Sequence, residues 1–124
     1  MTQIRNIFLY IFAIFFIFAG VNHFRVPETY LSIIPPYLPM AGFLNYLSGA
    51  AEIAGGILLL IPKTRRQGAI LIIALLILFI PAHFYMIQIA PFHLGQILVT
   101  PLIAWLRLPV QGLLIWWGWQ YRKG

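Results

Sequence analysis

"LSGAAEIAGGILLL", residues 47–60, is small or apolar at nearly every position except Glu52. The chain owns two acidic residues, Glu28 and Glu52, and one of them stands in the middle of this run. What a carboxylate does there depends on the solvent around it, so composition decides the reading. Of the 124 residues, 62% are hydrophobic and 8% are charged, with a mean hydropathy of +0.93. Such a chain is too apolar to stay soluble as a monomer and reads as a single membrane domain over residues 1–124, with the lipid bilayer as its first partner. The net charge is +6. The basic residues fall in short clusters between long apolar runs, a pattern of membrane topology rather than of a face that binds nucleic acid. There is no cysteine, which removes disulfides, thiol nucleophiles and CxxC redox pairs; a redox role would need a bound cofactor or partner subunits.

The quoted stretch belongs to one of four apolar runs. A helix rises about 1.5 Å per residue and needs about 20 residues to cross a hydrocarbon core of about 30 Å. Residues 4–21, 42–61, 68–87 and 98–121 meet that length, so the expected fold class is all-α, an integral membrane four-helix bundle. The first run follows Arg5 and superficially resembles a secretory signal, but no A-x-A-like site follows it and its length suits a retained span. The fourth contains Pro101, Arg107 and Pro109. Pro101 suits the start of a helix, where its missing N–H costs nothing, and Pro109 suits a kink. A shorter helix from Pro109 onward, after a re-entrant piece, is the alternative.

The turn "PKTRRQ", residues 62–67, carries Lys63, Arg65 and Arg66 and should face the cytoplasm. With four spans the N and C termini then share that side, bringing Arg5, Arg122 and Lys123 with them. Arg25 and Arg107 are left toward the outer side, and the membrane is the cell's inner (plasma) membrane. Trp116, Trp117, Trp119 and Tyr121 crowd the last turns as an interfacial belt, with stacking on a ligand as the alternative. Residues 22–41, "NHFRVPETYLSIIPPYLPMA", hold Pro35, Pro36 and Pro39, which preclude a regular helix, and apolar side chains that need shielding from water. They read as an irregular Pro-rich outer cap between helices 1 and 2. Residues 90–101, "APFHLGQILVTP", form the matching cover from the second half, with no strand-forming region expected anywhere.

Counting up from the cytoplasmic ends places the buried polar groups at similar heights: roughly 14 Å for Glu52, 15 Å for Gln111, 20 Å for Ser48 and 21 to 23 Å for His83 and Arg107. Asn22 and His23 close the outer end of the first helix. Ser48 shares a helix face with Glu52, as Arg107 does with Gln111, because four residues make about one turn. A charged side chain near the bilayer centre costs about 2.5 to 3.5 kcal/mol on insertion scales, so Glu52 and Arg107 should point inward and find partners, with Arg107 reaching Glu52 or His83. Two readings fit: a polar floor beneath a cavity for a lipophilic molecule, or a buried salt bridge that sets helix register. Pro81, two residues before His83, should open the helical ladder and free a carbonyl.

His23, His83 and His93 have no regular spacing and no carboxylate one turn away, so they are not read as metal ligands. Gly49, Gly55 and Gly56, with Ala50, Ala51 and Ala54, let a neighbouring helix come close, homo-oligomerisation being the alternative use. The phosphate-loop, zincin, nucleophile-elbow and dinucleotide fingerprints are absent, and no catalytic residue is singled out.

The stretches "FAGVNHF" (18–24), "IIPPYLP" (33–39), "LSGAAEIAGGILLLIPKTRRQGA" (47–69), "FIPAHFYM" (79–86) and "RLPVQGLLIWW" (107–117) resemble the small DoxX-like membrane proteins over almost the whole chain. The distinctive part is the Gly-Xaa-Xaa-Glu-Ile-Xaa-Gly-Gly core followed by a proline and a basic turn. That resemblance implies a four-helix inner-membrane protein, with relatives tied to thiosulfate:quinone oxidoreduction and to membrane oxidoreductase complexes. It supplies no catalytic residues to carry over. The expected function is therefore a membrane protein with a polar-floored cavity for a quinone-like or other lipophilic small molecule, perched on a redox complex as a subunit. Glu52, His83, Arg107, Gln111, Ser48, Asn22 and His23 are the candidate ligand-binding residues. The rival is a non-catalytic scaffold or assembly protein in which the same residues only hold the helices together.

Overall fold

The computed structural model describes residues 3–123; of the single domain expected over 1–124, residues 1, 2 and 124 lie outside the described part. Helix α1 (Gln3–Arg25) leads through a five-residue helix α2 (Pro27–Leu31) to α3 (Ala41–Leu60). A 3-10 turn (Pro62–Thr64) joins α3 to α4 (Arg65–Leu78) and its continuation α5 (Ile80–Ile89). The short strands β1 (Phe92–Leu94) and β2 (Ile97–Val99) precede the last helix, α6 (Pro101–Trp119). Helix α3 packs along both α1 and α4, and α6 packs along α4 and α5.

Three helical runs are long and apolar enough to cross a membrane: Gln3–Arg25, Ala41–Leu60 and Pro62–Ile89. They carry large apolar side chains on their outer faces, with Phe18 69% and Leu78 70% exposed. Water would penalise that surface and acyl chains would not. Helix α6 is not among the three. It spans 19 residues, but Arg107, Gln111 and four tryptophans dilute its hydrophobicity.

Small residues set how closely the helices approach. A Cβ on Gly20 would lie 2.5 Å from the Gly49 carbonyl oxygen, and one on Gly49 would lie 2.6 Å from His23 Cβ. On the other side of α3, a Cβ on Gly68 of α4 would meet Leu59 N at 2.6 Å and the Gly55 carbonyl oxygen at 2.8 Å. Backbones that close leave no room for any side chain, and the reward is dispersion contact along the whole crossing. Below this crossing lies the larger apolar core, built around Leu9, Phe12, Phe16, Leu59, Ile72 and Leu76.

The basic turn after α3 finishes that helix chemically. Arg65 Nε donates to the Leu59 carbonyl at 2.8 Å and Thr64 Oγ1 donates to the Leu58 carbonyl at 3.0 Å. These are two of the four terminal carbonyls that the helix cannot satisfy itself, and a cation is favoured at that end of the dipole. Arg65 is buried as a result. At the same end of the molecule Arg5 donates to the Gln120 carbonyl and lies over the Tyr121 ring. The start of α1 and the end of α6 are therefore neighbours.

Two expectations need correction. The chain is mostly helical, but residues 90–101 are not free of strand: β1 and β2 pair antiparallel, Phe92 opposite Val99 and Leu94 opposite Ile97. The two-residue turn between them places Gly95 at φ +63, the left-handed value that a glycine at the first position of such a turn supplies without strain. The ribbon is too short to show a period-2 pattern above its apolar background. The third expected span, 68–87, is also two helices. Pro81 has no N–H to give, and the helix breaks at Phe79, with α5 starting afresh around Phe79 as its cap.

Candidate functional site

Above the larger core, α1 and α3 cross at Gly20 and Gly49, and this crossing builds the first half of the site. Asn45, Gly49 and Glu52 occupy positions i, i+4 and i+7 of α3, one stripe of the helix. Because Gly49 has no side chain, His23 in the last turn of α1 sits directly over it. The ring then has Asn45 one turn to one side and Glu52 one turn to the other. Asn45 Nδ2 donates to the His23 backbone carbonyl at 2.9 Å, and Asn45 Oδ1 lies 2.8 Å from His23 Nδ1. Glu52 Oε2 lies 3.4 Å from His23 Nε2 and makes no hydrogen bond to a described residue. All three side chains are buried.

This geometry restricts the protons. The Asn45 amide nitrogen must face a carbonyl, so its oxygen faces the imidazole and His23 Nδ1 is the donor. The opposite nitrogen, Nε2, then confronts a carboxylate oxygen. Two lone pairs facing each other in a dry interior would repel, so a single proton belongs between them, on the imidazole or on the carboxyl. Tyr30 of α2 closes the arrangement from above, its ring stacked on His23 with centroids 3.9 Å apart and planes at 19°. Burial, and secondarily the nearby Glu52 carboxylate, raise the Tyr30 pKa above its ordinary value. The phenol therefore stays protonated at neutral pH and keeps its O–H as a donor.

The second half of the site lies on α5 and α6. His83 is buried in the first turn or so after the break at Phe79. The Arg107 guanidinium is within electrostatic reach of both His83 and Tyr30, and the Gln111 amide lies beside His83. Gln111 Nε2 also donates to the Leu76 carbonyl at 2.7 Å, one of the last carbonyls of α4 before the break. A side chain of α6 thus takes a carbonyl next to the one, of Ile77, that the missing N–H of Pro81 leaves without its helical donor. Two atoms of this half remain unpaired among the described residues, His83 Nδ1 and Arg107 Nε, both buried.

The sequence-predicted residues therefore divide. His23 and Glu52 form one group, His83, Arg107 and Gln111 another, with Tyr30 between them. Arg107 does not reach Glu52; the neighbour of the carboxylate is His23, because the glycine crossing brings α1, and not α6, against that face of α3. Ser48 is half-buried and makes no side-chain hydrogen bond among the described residues. Asn22 is half-buried at the outer end of α1 and accepts from Arg25 Nε at 3.0 Å. Sequence reasoning passed over Asn45 as a site residue and treated Tyr30 only as cap. The spacing Asn45, Gly49, Glu52 was the available signal for the first; nothing local marks the second. No three His, Asp or Glu side chains converge on a common point among the described residues. Two concavities, of about 380 and 370 Å³, lie at the basic end of the molecule.

A family model described as "Domain of unknown function (DUF8561)" matches residues 12–122, which includes both halves of the site, and the chain belongs to that family. No curated protein and no solved structure matches it. The match overturns the resemblance to DoxX-like proteins: the Gly-Xaa-Xaa-Glu-Ile-Xaa-Gly-Gly core reflects the demands of close helix crossing around a buried carboxylate, which are not peculiar to one family.

Proposed function

We propose that this member of the DUF8561 family is a four-span protein of the cell's inner membrane that holds a lipophilic small molecule by its polar end. In this reading α6 is the fourth span, and the basic turn and both chain ends face the cytoplasm. The His23–Glu52 and His83–Arg107 groups then lie in the outer half of the membrane, under the cap formed by residues 26–40. The observation that carries the proposal is the pair of buried polar atoms on α5 and α6 without a partner among the described residues, His83 Nδ1 and Arg107 Nε; Glu52 Oε2 has only the 3.4 Å approach of His23 Nε2. A buried polar atom without a partner costs about 1 to 3 kcal/mol, and two on facing helices ask for a molecule that supplies the missing bonds. Arg107 Nε offers a donor and Glu52 with His23 offers an exchangeable proton. A ligand that carries acceptor oxygens on an apolar body, as a quinone does, answers both. Electron transfer through such a ligand would need redox partner subunits, since the chain has no cysteine.

The test is mass spectrometry of the apolar extract of the purified protein. A stoichiometric molecule with carbonyl or carboxyl oxygens is expected, lost from Arg107→Gln and His83→Phe while both variants keep their thermal transition. An empty extract from folded wild-type protein would refute the reading. Orientation is checked separately, and the absence of native cysteine makes single-cysteine labelling clean. Lys63→Cys should react only from the cytoplasm and Gln96→Cys only from outside.

A second reading is favoured by the α1–α3 crossing: a scaffold whose polar residues only set helix register. Both amide atoms of Asn45 are bonded to His23 there, and one buried polar residue at a helix crossing is a known way to fix register. Unfolding of Glu52→Gln, with no ligand found, would support it.

A further inference from the structure

We propose that the basic end of the molecule carries a binding site for one anionic phospholipid, in the groove between the start of α4 and the end of α6. The groove, of about 380 Å³, is lined by Arg66, Ile70, Trp119, Arg122 and Lys123. Its composition is that of a lipid site. Three cations stand at one end, and an exposed isoleucine and tryptophan continue toward the apolar surface of the helices. No acidic side chain lines the groove: the two acidic residues of the chain are Glu28, on α2, and Glu52, about two turns before the end of α3 and buried against His23. The charge of this end must be answered from outside the chain.

The arginine at the centre is held in place before any ligand arrives. Arg122 Nη1 donates to the Trp119 carbonyl at 2.9 Å, and its guanidinium lies 4.2 Å from the Trp119 ring centroid. A stacked guanidinium loses little freedom when it binds, and its remaining N–H groups match a phosphate bidentately. Trp119 fits the headgroup level, where indole rings collect. The shared chemistry is a phosphate monoanion. The choice of a phospholipid over free phosphate rests on Ile70 and Trp119, which would face the acyl chains and which a soluble anion would leave exposed. The site rests on the orientation proposed above, with this end toward the cytoplasmic leaflet; the cysteine-labelling experiment tests that orientation independently of lipid binding.

The experiment is native mass spectrometry of the full chain in detergent, titrated in turn with phosphatidylglycerol, phosphatidylcholine and inorganic phosphate. Phosphatidylglycerol should bind at a ratio of one, at least tenfold more tightly than phosphatidylcholine. Each of Arg66→Gln, Arg122→Gln and Lys123→Gln should weaken it about fivefold, since a basic residue at a membrane surface contributes about 1 kcal/mol. Lys63→Gln, at the same end but outside the groove, should leave it unchanged, and this separates a site from general attraction. Equal binding of phosphatidylcholine, displacement of the lipid by inorganic phosphate, or full retention in the triple variant would each overturn the proposal. The unliganded thermal transition of every variant confirms that it is folded before its affinity is read.

Discussion

The α1–α3 crossing and the α5–α6 side of the molecule both bury polar groups in an apolar setting, yet they are built on opposite principles. At the first, glycine lets two backbones touch, and Asn45 bonds His23 through both its amide oxygen and its amide nitrogen. At the second, proline breaks one helix before His83 and another proline, Pro109, stands inside α6 beside Arg107. There His83 Nδ1 and Arg107 Nε are left without partners among the described residues. The difference teaches how to separate structural polarity from a site. A polar residue whose every atom is answered within the chain holds the fold, whereas one that is buried and unanswered is waiting for something else. Glu52 belongs to both categories, since it sits at the tight crossing but its Oε2 is not hydrogen-bonded.

Substitutions should expose this contrast. The largest effect is expected from Gly20→Val or Gly49→Val, where the new atoms collide with backbone or with His23 Cβ. Overpacking of that kind costs about 3 kcal/mol, and chemical unfolding in detergent should show it as a strongly lowered midpoint. Next is Asn45→Ala, which strips partners from His23 Nδ1 and from the His23 carbonyl; a loss of about 2 kcal/mol is expected in the same assay. If this variant were as stable as wild type, the tight crossing would not be held by its polar groups and the contrast would fail. On the other side, Arg107→Gln should lower stability by less than about 1 kcal/mol, because an atom without a partner contributes no bond to lose. The smallest effect is expected from Gly112→Ala on the exposed face of α6, where a Cβ meets nothing within 4 Å; a change within about 0.5 kcal/mol in the same assay is the baseline for the other variants.

Much of this was legible in the chain itself. Of the four apolar runs, three correspond to membrane-compatible helices with ends displaced by a few residues, since hydrophobicity and length are local quantities; the fourth forms a helix too polar to be counted with them. Glu52, His83 and Gln111 could be recognised as buried because a charged or polar group within such a run has nowhere else to go, whereas His23, read as closing the outer end of the first helix, is buried only because α3 and α2 cover it. Asn45 was missed although it lies on the stripe of Gly49 and Glu52, because attention to ionisable groups passed over an amide. The hairpin at residues 92–99 was missed because six strand residues on an apolar background carry no readable alternation. The pairing of Glu52 was misjudged for a different reason. Depth along each helix is a count of residues, and it did put Arg107 near the right level, but depth says nothing about which helix stands opposite.

The sequence by itself determined that this protein is a set of apolar helices with a buried polar layer and one strongly basic end, because helical rise, hydrophobic length and charge are properties of each segment alone. Only the tertiary structure decided that Glu52 meets His23 and that Arg107 stands within electrostatic reach of His83 and Tyr30. That choice depends on the rotation and closeness of neighbouring helices. Contacts such as Gly20 against Gly49, 29 positions apart, set both, and no segment contains the information alone.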